Sequence, residues 1–501
     1  MFENLFTDIT LIRPEVIVSI TLMVLVLIDL FYQKDKSLIP LVGMVGLILA
    51  LYYSLTGINV NSHAFLTSSA NNDYGLISID SYGTYFKIII LIASILIILF
   101  AKNSAEIKKI EERSGEFYTL IFGMILGMLF MVSATDLIMI YISVELLSLS
   151  SYVLAGFTKL RDRDTEASLK YLVYGATSSG LMLFGISIIY GLTGSTNLFI
   201  INDIFKSTSV NVLAYSFSMI LIFTGIGFKI SAVPFHFWTP DVYEGAPISV
   251  TAFLSVASKA AGFALLIRFI KTTFMLKEIN GVWVLLDGFN WQHFIIVISI
   301  LTMTLGNFAA LWQDNVKRML AYSSIAHAGY MLLGIAVLSD QGLLAVMIYF
   351  MIYLLMNIGA FYIVMLISNR INSEDVNDYN RLGYASPFLG IALTIFLISL
   401  TGLPPTAGFI SKLYIFLALL DAKMIFVAVI AVLNSVVSLY YYIRILKHMF
   451  ISESEKEIQK FTISLNEIVF IVILLIPTLL LGVYFSPIVD FAQSCLTMLV
   501  R

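Results

Sequence analysis

The sequence has 501 residues, 59% of them hydrophobic and 12% charged, with a mean hydropathy of +0.94; soluble domains run at about 45–50% apolar and about 25% charged, so this composition excludes one. A formal net charge of −3 without a basic tract gives nucleic acid nothing to bind. The single cysteine, Cys495, excludes an intrachain disulfide, a Cys-rich zinc site and a cysteine-ligated iron–sulfur cluster, so redox chemistry belongs elsewhere.

A helix that crosses the hydrocarbon core needs about 20 largely apolar residues. In chain order such windows fall near 14–32, 38–56, 82–101, 117–134, 136–157, 167–191, 212–233, 247–269, 293–311, 317–338, 341–368, 388–418, 424–443 and 465–490. They predict an all-α, polytopic integral membrane protein with about 14 transmembrane helices. The first follows an acidic stretch, Met1 to Arg13, and lacks a small-residue cleavage site, so it reads as a retained helix. The longest loop, about 57–81, is polar and Asn/Ser-rich with no catalytic pattern. There is no P-loop, and Gly225 and Gly227 lie inside an apolar helix pattern, so nucleotide binding is unsupported.

Orientation follows from the basic residues, which accumulate in cytoplasmic loops. One set of alternate loops collects 17 of the 29: Lys34, Lys36, Lys102, Lys108, Lys109, Arg113, Lys159, Arg161, Arg163, Lys317, Arg318, Arg370, Arg381, Arg444, Lys447, Lys456 and Lys460. The opposite set holds 7: Arg13, Lys206, Arg268, Lys271, Lys277, Lys423 and Arg501. This bias places both termini outside the cytoplasm. The remaining five, Lys87, Lys170, Lys229, Lys259 and Lys412, fall within spans.

A charged side chain at the bilayer centre costs about 2.5–3.5 kcal/mol on insertion scales, so each is a functional candidate. Glu145 lies midway along the fifth span, with an intramembrane lysine as its expected partner. Lys229 precedes Pro234, which breaks or kinks its helix. Lys259 sits midway along the eighth span among small residues that allow close helix contact. Lys412 follows GLPPTAGFIS, where Pro404, Pro405, Gly402 and Gly408 interrupt the twelfth span. His327, near the middle of the tenth span, can gain and lose a proton at physiological pH.

Blander readings stand beside these. Lys87 and Lys170 lie near helix ends, where a lysine can snorkel to the boundary. A Glu145–Lys229 bridge could be purely structural, and His327 a hydrogen-bonded packing residue. His236, beside Pro234 and Trp238, divides between capping and function.

The spacing predicts two five-helix repeats, helices 4–8 within 116–270 and helices 9–13 within 283–450, each with a broken helix as its fourth member. They are flanked by a three-helix segment, 1–115, and a C-terminal helix, 451–501. An odd number of spans per unit inverts one relative to the other, and paired interrupted helices point to a transport site near the midplane. Burial favours a neutral lysine and a neighbouring carboxylate favours a charged one. Moving Glu145 relative to Lys229 would therefore load or release a proton, and a charged Lys229 would push the next proton off Lys259. Ser258, Tyr322, Ser323 and His327 are candidate links between stations.

Five segments carry a family resemblance: ELLSLSSYVL (Glu145 to Leu154), EASLKYLVYGA (Glu166 to Ala176), FKISAVPFHFWTPDVYEGAP (Phe228 to Pro247), NVKRMLAYSSIAHAGYML (Asn315 to Leu332) and GLPPTAGFISKLYIF (Gly402 to Phe416). Together they resemble the subunit N family of the proton-pumping NADH:quinone oxidoreductase, respiratory complex I, one of its antiporter-like subunit types. The resemblance runs from about 115 to 450. It implies 14 helices, inverted five-helix repeats and a hydrophilic axis at mid-membrane depth. By this resemblance Glu145 matches the fifth-helix glutamate, Lys229 the seventh-helix lysine and Lys259 the eighth-helix connecting lysine. Lys412 matches the twelfth-helix terminal lysine, and Lys170 the additional sixth-helix lysine. The sister subunit L type continues into a long lateral helix, whereas this chain ends soon after its last span; the subunit M type carries glutamate where Lys412 stands.

The resemblance implies no cofactor on this chain and no metal. NADH, FMN, iron–sulfur clusters and quinone belong to partner subunits, and the partners are other membrane-arm subunits, further antiporter-like subunits included, with the cell (inner) membrane as the location. The alternative is a subunit of a multisubunit Na⁺/H⁺ antiporter, which neighbouring genes for electron-transfer subunits would distinguish. A stand-alone carrier would need a polar substrate pocket and would act alone in vesicles. A scaffold that has lost pumping would have no use for costly buried charges.

Overall fold

The structure, a computed structural model, describes residues 2–31, 36–69, 72–158, 162–208, 211–453 and 462–499. Of the orientation residues, Lys34, Lys159, Arg161, Lys456, Lys460 and Arg501 lie outside the described residues. Among those described, 13 helices are long and apolar enough to cross a membrane. The first seven are α1 (Arg13–Phe31), α2 (Leu38–Thr56), α3 (Ser81–Asn103), α4 (Ser114–Ser133), α5 (Leu137–Ala155), α6 (Asp162–Thr193) and α7 (Val212–Ile230). After a break the chain resumes as the short α8 (Trp238–Gly245), then α9 (Ile248–Phe274), α10 (Trp291–Leu311), α11 (Val316–Ala336) and α12 (Asp340–Ile371). The expected span 388–418 is two shorter helices, α13 (Pro387–Thr401) and α14 (Ala407–Asp421), followed by α15 (Ile425–Phe450) and α16 (Leu465–Val483).

Several helices start on a side chain that accepts the orphan amides of the first turn, which lets a helix end sit at the polar boundary without unpaired donors. Asp80 accepts from Gly83 N at 2.7 Å, Asp136 from Ile138 N at 2.8 Å and Asn315 from Arg318 N at 3.0 Å. Two of these caps lie in matching short antiparallel bridges. Leu137 N donates to Thr196 O and Leu198 N to Thr135 O, at 2.8 and 3.0 Å. In the second half Val316 N donates to Glu374 O and Val376 N to Asp314 O, each at 2.8 Å.

Burial does not follow hydropathy among the spans. The most apolar 18-residue window of α9 is 100% buried, against 22% for α16, although α16 is the more hydropathic. Hydropathy alone does not mark the lipid-facing helices, since α3, the most hydropathic span, is 83% buried; what distinguishes the interior helices is that they carry most of the buried charges.

Two short hairpins supplement the helices. The polar loop folds as β1 (Ser62–Ser69) and β2 (Asn72–Ile79), antiparallel from Ser62↔Ile79 to Ser69↔Asn72. Ala64, Ile77 and Ile79 turn inward against Ile12. Between the two halves, β3 (Met275–Ile279) and β4 (Val282–Leu285) turn at Asn280-Gly281, both with positive φ, the backbone that an Asn-Gly hairpin turn requires.

Four residues counted as loop or boundary cations are buried, Lys317 in the first turn of α11 among them. Arg268 and Lys271 lie within α9, and Lys87 points inward, not toward the boundary. Arg268 is fully buried, pairs with both oxygens of Asp80 at 2.7 Å and donates Nε to Val132 O at 2.8 Å. The chain's last described residues complete this site: Leu499 N donates to Asp80 Oδ2 and Tyr82 N to Thr497 O, each at 3.0 Å. Lys87 pairs with Glu15 of α1 at 2.6 Å, both buried.

Candidate functional site

The first break begins where α7 ends on Ser231 in the left-handed conformation, two residues past Lys229. Neighbours satisfy the irregular backbone that follows, the condition for such backbone at membrane depth. Val233 N donates to Thr302 Oγ1 at 3.0 Å, and Trp238 Nε1 donates to the freed Phe228 O at 3.0 Å. Lys229 is 2% exposed. Its Nζ has no hydrogen-bond partner and lies 5.5 and 5.6 Å from the ring centroids of Tyr152 and Tyr171. Glu145 Oε1 is likewise buried and unpartnered, and no ion pair joins Glu145 to Lys229; the expected bridge is not closed.

Lys229 stands next to α9. A Cβ added at Gly262 would meet Ile230 Cγ2 at 2.7 Å and Lys229 Cβ at 3.6 Å, so glycine is what permits this approach, one turn beyond Lys259. Immediately before Lys259, residues Leu254–Ser258 form a π turn, a local widening frequent at functional sites. Lys259 is 0% exposed, and its Nζ donates to Ser324 O and Ser324 Oγ, each at 2.7 Å. Ser258 turns back onto its own helix and donates to Leu254 O, so it does not link to Lys259.

His327 is buried on α11, with Tyr349 OH at 2.7 Å from Nδ1 and Tyr442 OH at 3.4 Å from Nε2. Ser323 shares a short hydrogen bond with the same Tyr442 hydroxyl. Tyr322 is half-buried and makes none of these hydrogen bonds.

In the second break, α13 ends on Gly402 with φ 89°, and a Cβ there would stand 2.7 Å from Lys412 Cδ. Glycine therefore serves both the left-handed turn and the space for the lysine side chain. Lys412 Nζ donates to Thr401 O, a carbonyl at the broken helix end, at 2.7 Å and to Ser435 Oγ at 3.2 Å, and faces the Tyr330 ring at 4.6 Å. A cavity of about 220 Å³ borders Lys412 and Ser435.

Lys170 stands apart from this line. It is half-exposed and pairs with Glu166 and Asp241, each at 2.7 Å; Asp241 also takes Arg318 at 2.7 Å, and Arg318 takes Glu244 at 2.8 Å. These charges border a cavity of about 230 Å³. Asp241 and Arg318 were not singled out in the sequence, although Asp241 follows Ser231 by the interval that separates Lys412 from Gly402. His236 is buried in the first break with Nδ1 unpartnered. Among the described residues no cluster of His, Cys, Asp and Glu could hold a metal.

A family profile for the NADH:quinone oxidoreductase/Mrp antiporter transmembrane region matches residues 134–438. The chain is 46% identical to NADH-quinone oxidoreductase subunit N 2 of Chloroherpeton thalassium, over 96% of this chain and 93% of that one. It is 43% identical to subunit N of Chlorobium chlorochromatii with the same coverage. Among solved structures it resembles a chain of respiratory complex I from Thermus thermophilus, at 28% identity and TM-score 0.76, covering 95% of this chain and 98% of that one. A chain of the Mrp complex from Dietzia shares the fold at 20% identity and TM-score 0.82, over 97% of each chain. With the profile covering more than half its length and relatives above 40% identity along nearly all of it, the chain belongs to the subunit N family of antiporter-like membrane subunits of NADH-quinone oxidoreductase.

Proposed function

We propose that this antiporter-like subunit of NADH:quinone oxidoreductase translocates protons through a relay of Glu145, Lys229, Lys259, His327 and Lys412, with Lys170 at one mouth. The observation that carries the reading is a contrast in pairing. Seven Lys and Arg side chains are buried among the described residues. Four hold a carboxylate within ion-pair distance: Lys87, Arg268, Lys271 and Lys317. The other three, Lys229, Lys259 and Lys412, have none, and two of them adjoin the helix breaks. A buried amine without a counter-charge can exchange its proton, whereas a closed buried pair holds it.

Two inverted five-helix repeats, 116–270 and 283–450, organise this reading. Support comes from the matching bridges beside Asp136 and Asn315 and from the two breaks, each of which begins at a left-handed residue. The excess of Lys and Arg in one set of loops supports termini outside the cytoplasm, and withdrawing the buried Arg268 and Lys271 from the opposite set, with the buried Lys317 from the first, strengthens it. Chemistry with NADH, FMN, iron–sulfur clusters and quinone is assigned to partner subunits, in keeping with the absence of cysteine ligands from the membrane bundle. The antiporter alternative draws on the shared fold and on a family profile common to both types; the subunit N relatives are far more similar in sequence.

The test is proton uptake by vesicles holding the assembled complex, with Lys259→Ala beside wild type and with electron transfer and assembly monitored. Loss of uptake in an assembled complex is expected; unchanged uptake would remove Lys259 from the relay.

A further inference from the structure

The ionisable stations leave open how a proton crosses from Lys259 to Lys412. Ser324 Oγ accepts from Lys259 Nζ at 2.7 Å and from Tyr353 OH at 3.0 Å. At the far end, Ser435 Oγ accepts from Lys412 Nζ at 3.2 Å and donates to Tyr330 OH at 3.1 Å. Each lysine is thus joined to a buried phenol through one serine. The two phenols flank the same imidazole, with ring centroids 5.1 Å (Tyr353) and 6.2 Å (Tyr330) from that of His327.

We propose that Ser324 with Tyr353, and Ser435 with Tyr330, are relay residues whose hydroxyls pass protons between the imidazole and the two lysines. The inference rests on the relay reading above. A hydroxyl accepts on its lone pairs while giving up its own hydrogen, so it can pass a proton on and remain neutral. For delivery to a neutral Lys412, an N–H bond forms as the Ser435 O–H breaks. The Tyr330 proton restores that O–H, and an N–H proton of a protonated His327 restores Tyr330 and leaves the imidazole neutral. No electrons change hands, and one positive charge has moved onto the amine. The observed orientation, Lys412 to Ser435 to Tyr330, is the one that follows loading; a neutral lysine lets both hydroxyls turn.

A serine and a tyrosine could instead serve only to satisfy a buried ammonium. Tyr330 separates the two roles, because its ring also faces Lys412 Nζ at 4.6 Å. Tyr330→Phe keeps the ring, its volume and the cation–π contact and removes only the hydroxyl.

The experiment measures protons translocated per electron pair in vesicles of the assembled complex, in H₂O and D₂O. Tyr330→Phe, Ser435→Ala and their double variant are compared with Lys412→Ala and with Tyr379→Phe, a buried tyrosine away from the axis. The expected result is a severalfold fall in Tyr330→Phe and Ser435→Ala, an enlarged isotope effect, a double variant no worse than the poorer single, and no change in Tyr379→Phe. Normal pumping by Tyr330→Phe where Lys412→Ala stalls would overturn the hydroxyl path and leave the lysine relay standing. Normal pumping by Lys412→Ala would overturn both.

Discussion

The cations near the membrane edges and those along the middle of the bundle are equally buried and differently partnered. Arg268 meets Asp80 with two hydrogen bonds and Lys271 meets Asp340 at 2.9 Å. Lys259 and Lys412 meet only hydroxyls and carbonyl oxygens. Removing one partner of a closed buried pair strands the other charge. Removing a lysine held by neutral groups strands a hydroxyl or a carbonyl, which costs far less. The fold should therefore depend on the first group and transport on the second.

The sharpest way to break this comparison is Arg268→Leu, which leaves Asp80 buried and unpaired. It should destabilise the subunit by about 3–5 kcal/mol, read as a lower thermal midpoint and poorer incorporation into the complex. A loss as large from Lys259→Met would collapse the distinction. Next comes Gly402→Ala, which places a Cβ at positive φ and 2.7 Å from Lys412 Cδ. A loss of about 1–3 kcal/mol is expected, together with slower proton uptake because the lysine must move; intact pumping would show that its position is not critical.

The pair Glu15–Lys87 sharpens the comparison, because apart from Lys87 itself neither Glu15 oxygen has a partner. Glu15→Leu with Lys87→Leu should be neutral to within about 1 kcal/mol or stabilising, whereas Glu15→Leu alone should be clearly destabilising. Equal damage from the double and single variants would give this pair a role beyond closing its own charge. The smallest effect belongs to Arg113–Glu116, an exposed i, i+3 pair at 3.0 Å. Arg113→Ala should cost less than about 1 kcal/mol and should leave pumping unchanged.

How much of this was legible in the sequence follows the same physics. Spans are legible because hydrocarbon thickness imposes a length on an apolar run, and both breaks because proline and glycine interrupt a helix. Lys259 and Lys412 stood out because a charge amid apolar residues is conspicuous. Arg268 and Lys271 were misplaced for the converse reason: they lie near a span end, and only Asp80 and Asp340, distant in sequence, explain their burial. The polar loop gave no strand alternation over β1 and β2, although Asn280-Gly281 was a readable turn signal for the other hairpin. Ser324, Tyr330, Tyr353 and Ser435 were illegible because serines and tyrosines are common on membrane helices, and only juxtaposition picks out these four.

The contact between Asp80 and the C-terminal segment bears on the order of synthesis. A ribosome delivers Asp80 and then Arg268 to the membrane long before Leu499, so their pair forms with one acceptor still waiting for its backbone donor. That donor arrives only after the last membrane helix has been made. The site is therefore a late latch: Asp80 gains this last donor only in a subunit whose α16 has already been made.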